Sequence, residues 1–279
     1  MKSPHFLNLK IYWCDYLIST SIFFICFYYF YTELSTLAFI IGSIFLYRAA
    51  AFTHELAHQR NNRNIRKFKR FWNMTMGFII LQPSCRFAVP HLRHHKTGVF
   101  ATHRDPQYPL IRKNIKLAAA IFFILPVVIP LYNLLICFMP RNKKLENILY
   151  QGSKFTEGER LEIEQYELYY LVAFSIIALS MPSVLIPWYL ISIGAWFLSV
   201  LRIPLEHPLD YYRETSTSND QMTLSNTYEC PIFILVQPLS LRYHKAHHMY
   251  PKIPYHNLPD YHYRLKIKGC YKDKPKELP

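Results

Sequence analysis

Apolar residues gather in blocks long enough to cross a bilayer. Positions 11–31 are almost wholly apolar, with Asp15 the one charge, and 21 residues rising about 1.5 Å each would traverse a hydrocarbon core of roughly 30 Å. A second block, 34–52, carries only Arg48. Thr32 and Glu33 separate the two, so they form a helical hairpin. Positions 115–139 and 168–201 are further candidate spans. The first is long enough to span, but Pro126 and Pro130 could equally turn it into a re-entrant hairpin, and the second, broken by Pro182 and Pro187, is one kinked helix or two short ones. Positions 71–90 are apolar but broken by Pro83, Ser84 and Arg86, which reads as an interfacial or partly sunken helix. Between the last two spans, 140–167 mixes five Lys/Arg with six Glu and has no secure placement.

Charge orients these blocks. The turn of the first hairpin holds no Lys or Arg, whereas 60–70 holds six, and nine more lie between Arg242 and Lys276. Basic residues flanking spans mark the cytoplasmic side, so the N-terminus, the stretch after Phe52 and the tail all lie there. The expected fold is an all-α integral membrane protein of one domain over 1–279. It has helical transmembrane hairpins, four or more spans, and a cytosolic cap from 53–114 and 202–279. A signal peptide would need a shorter apolar run and a small-residue cleavage site, and no A-x-A pattern follows the first block, so it should be retained. A net charge of +14 without a nucleic-acid-binding motif points to anionic lipid head groups rather than nucleic acid. The six cysteines are scattered without a C-x-x-C pair, implying neither a disulfide framework nor a zinc ribbon.

Histidine supplies the candidate chemistry. His54 and His58 follow the second block at spacing i, i+4, and His91-Leu92-Arg93-His94-His95 and His244-Lys245-Ala246-His247-His248 repeat i, i+3, i+4. Residues at these spacings share a helix face. A single such cluster in a basic protein could be coincidence. Three, all assigned to one side of the membrane, point to metal ligation. Imidazole suits iron, zinc, copper and nickel alike, but eight ligands exceed one metal's need and fit two metals with open positions. Two irons with O2 as co-substrate could attack an unactivated C–H bond of a lipid. Read literally, His54-Glu55-Leu56-Ala57-His58 is also the H-E-x-x-H of zinc proteases, a reading that leaves both H-x-x-H-H clusters unexplained. Histidines that merely contact lipid phosphates are a third reading.

In order and spacing these three boxes resemble the membrane fatty-acid desaturase family, as does the stretch from Tyr243 through His256-Asn257-Leu258-Pro259. The resemblance covers chiefly 50–110 and 200–262. It implies a di-iron centre held by His54, His58, His91, His94, His95, His244, His247 and His248. His207, in Arg202-Ile203-Pro204-Leu205-Glu206-His207, is implied as a ninth ligand. Glu55, Asp105, Glu206 and Asp210 are candidates to orient the imidazoles, and no catalytic residue beyond the ligands is expected. His103, His256 and His262 fall outside the pattern, and His5 has no assigned role. The implied activity is O2-dependent oxidation of a lipid acyl chain, with desaturation ahead of hydroxylation. Carotenoid hydroxylases and ketolases share similar boxes. No H-P-G-G of a fused cytochrome b5 occurs, so an external ferredoxin or cytochrome b5 type protein would deliver electrons. The active site is expected on the cytoplasmic face of a bacterial inner membrane or the endoplasmic reticulum.

Overall fold

A computed structural model describes residues 5–107, 115–139, 153–208 and 212–271, with the side chains of 115–121 excluded. Among the described residues the chain is all-helical. The first hairpin forms as the hydrophobic pattern requires, with α1 over Leu9–Glu33 and α2 over Thr36–Ala50. Leu34 turns the chain in the left-handed region at φ 52°, and Ser35 caps α2. Ala51 remains right-handed, so α2 runs on into α3, Phe52–His58, without changing direction. The first box is thus mounted on the rigid end of a membrane helix.

Among the described residues, three helical stretches are long and apolar enough to cross a membrane: Leu9–Glu33, Thr36–His58 and Pro182–Glu206. A shorter apolar stretch covers Phe122–Phe138 within α6, Ile115–Phe138. Exposed Leu17, Ile18, Phe24, Ile25 and Tyr28 give α1 an apolar outer surface of the kind a bilayer would cover. The charges within the first hairpin meet one another: Arg48 Nη2 lies 3.0 Å from Asp15 Oδ1, and the Tyr255 hydroxyl donates to Asp15 Oδ2 at 2.6 Å. Pairing of this kind makes ionised groups at membrane depth tolerable.

The block at 168–201 takes the two-helix form of its two alternatives, with helix limits that lie beyond the apolar run. It divides into α7, Glu157–Ser180, and α8, Leu185–Glu206, with Met181 at φ −140° and a single 3-10 turn starting at Pro182 between them. α7 begins well before the apolar run. Thr156 accepts from the Glu159 amide, and the Glu159 carboxylate accepts from the Thr156 amide, a reciprocal cap that lets a helix start in polar sequence.

The stretch expected as one sunken helix at 71–90 is also divided. After α4, Arg66–Trp72, the backbone widens into a π turn at Asn73–Gly77, and a tight turn with Leu81 at φ 51° precedes α5, Ser84–His94. Asn73 Oδ1 accepts from the Ser84 amide at 2.8 Å, and the Tyr170 hydroxyl donates to the Asn73 carbonyl at 2.8 Å. These bonds tie the start of α5 to both α4 and α7. α3 packs on α5, α2 on α8, and α6 on α8. Beneath the first box the buried rings of Tyr12, Phe52, Phe68 and Tyr255 meet edge-on or tilted, with Tyr12 and Tyr255 centroids 5.1 Å apart.

Candidate metal centre

Four helical termini converge to present the histidines. α3 carries His54 and His58 on one face, and the last turn of α5 carries His91 and His94, with His95 as its cap. His207 is the first residue past α8, where the backbone turns extended (φ −132°, ψ 142°). After the single-turn α9, Asp220–Thr223, α10, His244–Met249, carries the third box. Loop 224–226 ties the ends of α8 and α10 together: the Asn226 amide donates to Glu206 O at 2.9 Å, and Lys245 N donates to Asn226 O at 3.1 Å.

The histidines sort into two adjoining groups. His54, His58, His91, His95 and His247 form the first, and His94, His207 and His248 the second, each with its ring nitrogens within 4.8 Å of one another. His244 joins the second, its Nε2 lying 3.1 Å from Nε2 of His207 and 3.0 Å from Nε2 of His248. The His95 and His248 rings stack at 4.2 Å where the groups meet. The second and third boxes are therefore each divided between groups. Their i, i+4 histidines turn to one group and the histidine at i+3 to the other.

The nitrogen spacing fits a metal better than it fits hydrogen bonding. Nε2 of His91 lies 2.7 Å from Nε2 of His58 and 3.2 Å from Nε2 of His95, which is 3.3 Å from Nε2 of His247. A neutral imidazole has one N–H, and His91 and His207 direct Nδ1 elsewhere, so most of these Nε2 atoms face each other without a proton to share. Ligands at right angles on a metal with bonds of roughly 2.1 Å would sit about 3.0 Å apart. Nε2 of His54 is buried without a hydrogen-bond partner. Burial, reinforced by neighbouring imidazoles, holds His91, His95, His244 and His248 well below the ordinary histidine range, and lowers His207 and His247 to about 3. These groups are thus neutral, the form that ligates metal.

The second atoms of several rings are anchored. Nδ1 of His94 lies 2.8 Å from Oδ2 of Asp105, Nδ1 of His207 donates to Leu224 O at 2.7 Å, and Nδ1 of His91 lies 3.1 Å from Oε1 of Gln107. Burial alone would raise the Asp105 carboxyl. His94 and the amides of Gln107 and Ala101 outweigh that and hold it below the usual range. Glu206 Oε1 is 3.5 Å from His244 Nδ1 and 3.2 Å from Arg202 Nε. Glu55 differs from expectation: it is buried and accepts from the Tyr12 hydroxyl rather than from an imidazole. Asp210 lies outside the described residues. Gln107 and the Leu224 carbonyl were not singled out from sequence. The one signal for Gln107 is its place two residues beyond Asp105 on the same loop, and a backbone carbonyl leaves no signal at all.

The remaining histidines lie apart. His103 is exposed, His256 Nε2 accepts from the Asn8 amide at 3.1 Å, and His262 sits between Tyr271 Oη at 2.9 Å and Glu229 Oε1 at 3.1 Å.

A cavity of about 340 Å³ reaches His54 from among α2, α6 and α8. Leu46, Ile80, Leu125, Ile129, Ala195 and Trp196 give it an apolar wall, while Thr53, Gln107 and Arg202 stand with His54 at its lining. Phe87, also on its wall, stacks on His91 with ring centroids 4.9 Å apart.

A family model described as fatty acid desaturase matches residues 11–274. Among curated proteins, a ceramide hydroxylase of Caulobacter vibrioides (strain NA1000 / CB15N) is 29% identical over 288 aligned positions, covering 92% of this chain and 81% of its own. No solved structure gives a significant match.

Proposed function

Because the chain belongs to the fatty acid desaturase family, we propose that it is a membrane-bound oxidoreductase that uses O2 to oxidise a lipid acyl chain at a di-iron centre. The observation that carries this reading is the convergence of nine histidines into two adjoining groups beside an apolar cavity that reaches His54. His54, His58, His91, His95 and His247 would hold one metal, and His94, His207, His244 and His248 the other. Iron held this way supplies an oxidant able to break an unactivated C–H bond, which no side chain does unaided.

The protein's own part is to bind, orient and exclude water. Burial keeps the imidazoles neutral and ready to ligate, and Asp105, Gln107 and the Leu224 carbonyl fix ring orientation. The apolar wall holds a chain against His54, where placement decides which hydrogen is exposed. Electrons would come from an external ferredoxin or cytochrome b5 type protein at the cytoplasmic face, the side to which the basic segments assign the centre.

Desaturation is the outcome the family's description suggests. Hydroxylation is a second reading, favoured by the relative named as a ceramide hydroxylase, and it makes a long-chain amide lipid a candidate substrate. The two outcomes share the first hydrogen abstraction and differ in whether a second hydrogen is lost or an oxygen is inserted. Expression in a host of simple lipid composition, followed by lipid mass spectrometry, separates them. Loss of two hydrogens identifies a desaturase, and gain of one oxygen a hydroxylase. Unchanged lipids with a reducing partner present and iron fully loaded would sink the proposal.

A further inference from the structure

A basic groove of about 550 Å³ runs between α4 and α7 and shares no lining residue with the cavity that reaches His54. Its cations are unequally answered. Arg60 pairs with Glu159 at 2.7 Å and Lys69 with Glu162 at 2.8 Å, each across to α7. Arg63, Arg66 and Arg70 line the same groove and are exposed, and none has an acidic partner among the described residues. Arg66 and Arg70 stand one turn apart on one face of α4, and Arg63 lies on the single 3-10 turn that leads into it. Tyr166 lines the groove from α7, its hydroxyl without a hydrogen bond among the described residues.

One rim of the groove is apolar. Met74 and Tyr169 line it and are exposed, and the Tyr169 hydroxyl donates to Met74 O at 3.1 Å, which keeps the two together. The face of α7 that carries Tyr166 and Tyr169 continues at helical spacing through exposed Val172 and Ile176. Trp13 marks the depth. It lies in the first turns of α1 and packs on Phe71, with ring centroids 5.2 Å apart, and tryptophan near the end of a span collects at the membrane–water boundary. The arginines therefore stand at head-group level, with an exposed apolar strip leading away from them along α7. A soluble anion would need the arginines alone. A phospholipid matches both parts.

We propose that this groove binds an anionic phospholipid from the leaflet that faces the metal centre, its phosphate among Arg63, Arg66 and Arg70 and an acyl chain along Tyr169, Val172 and Ile176. Guanidinium groups hold phosphate oxygens through paired hydrogen bonds. Three uncompensated cations favour a head group of net negative charge over a zwitterion, whose ammonium they would repel. This lipid is a bound partner and not the substrate. It neutralises the arginines beside the contact where the Tyr170 hydroxyl bonds Asn73, so its binding should stabilise the protein.

The test needs no turnover. The iron-loaded full chain, purified in a neutral detergent, is titrated with dioleoyl phosphatidylglycerol, dioleoyl phosphatidylcholine or glycerol 3-phosphate. Native mass spectrometry counts bound lipid, and thermal denaturation gives the midpoint. The wild type should retain one phosphatidylglycerol in preference to phosphatidylcholine, and only phosphatidylglycerol should raise the midpoint. Each cation near an anionic head group contributes about fivefold in affinity. Arg66→Gln combined with Arg70→Gln should thus weaken phosphatidylglycerol binding roughly 25-fold and abolish the thermal shift, while iron content and the lipid-free midpoint stay at wild-type values. Arg264→Gln combined with Lys268→Gln removes the same charge from exposed positions in the tail and should leave binding intact.

Arg63→Gln lies outside α4 and provides a second arm should the double variant fold poorly, with an expected loss of about fivefold. Equal retention of the two lipids by the wild type overturns the inference, and so does a thermal shift from glycerol 3-phosphate that matches the one from lipid, since the ligand would then be a soluble phosphate. Equal losses in the groove and tail variants would leave only a diffuse attraction to the leaflet, and a phosphatidylglycerol that stays bound in both groove variants would belong elsewhere. Either result also overturns it. None of these readouts depends on which bond the centre oxidises.

Discussion

At the scale of single residues, the decisive contrast is between histidines anchored toward other imidazoles and histidines anchored toward ordinary partners. His94 has Asp105 behind it at 2.8 Å, and its ring lies among those of His95, His207 and His248. His262 is as deeply buried, yet both of its nitrogens are taken by Tyr271 and Glu229. Asp105→Asn, which preserves shape but weakens the acceptor, should lower iron affinity roughly 10- to 100-fold. His262→Ala should keep full iron content while costing about 1–3 kcal/mol of stability through its orphaned partners. Metal analysis beside thermal denaturation checks both, and an Asp105→Asn protein with undiminished iron affinity would detach that carboxylate from the site. The same imidazoles set a pH dependence. His207 and His247 titrate near 3 in the folded protein against an ordinary 6.5, so the unfolded chain binds more protons between those values and stability rises with pH across that window. The metal-free protein should therefore have a flat thermal midpoint above about pH 7 and a falling one as pH drops below 6.5. Bound metal should move that fall to lower pH, because it competes with the proton for the same nitrogen. A midpoint that does not change between those conditions would contradict the burial assigned to these rings.

At the scale of elements, the boxes were legible because ligand spacing is a property of the helix, and each box does lie at a helix terminus. Which histidine serves which group was not legible. That depends on how the ends of α3, α5, α8 and α10 meet, and it divides each H-x-x-H-H in a way spacing alone leaves open. The apolar run at 168–201 misled on helix limits for a related reason: the Thr156–Glu159 cap starts α7 in charged sequence, where hydrophobicity gives no signal. Close packing of α2 on α8 was equally hidden. A Cβ added at Gly194 would come within 2.8 Å of Ser43 Cβ and closer still to its hydroxyl, so the glycine permits an approach that any side chain obstructs. Gly194→Ala should lower stability by about 1–3 kcal/mol through overpacking. Adding Ser43→Gly should recover most of that loss, since it clears the atoms in the way. Because α8 leads directly into His207, the single variant should also retain less iron than the double. Thermal midpoints and iron content that are the same in the wild type and Gly194→Ala would show that these helices have slack at the crossing.

At the scale of the whole molecule, topology and chemistry constrain each other. All four histidine-bearing termini meet at one place, so the helices that deliver them are expected to end on the same side of the bilayer. α2–α3 arrives there carrying His54 and His58 and is followed at once by the basic stretch from Arg60 to Arg70, while α8 arrives carrying His207. With α1 and α2 forming a hairpin, the start of α1 lies on that side too, consistent with the Tyr255 hydroxyl from the tail reaching Asp15 in α1. The density of Lys and Arg on this side is what the positive-inside rule expects of a cytoplasmic face, and the proposed electron donor would approach the centre from there. Cys230, exposed and in the tail segment between His207 and the third box, gives a native reporter of that arrangement. With Cys14→Ser removing the other exposed thiol, a membrane-impermeant maleimide should label Cys230 in inverted membrane vesicles and not in right-side-out ones. Labelling from the opposite side would place the histidines away from the cytoplasm, and the electron supply proposed for the centre would fail with the orientation.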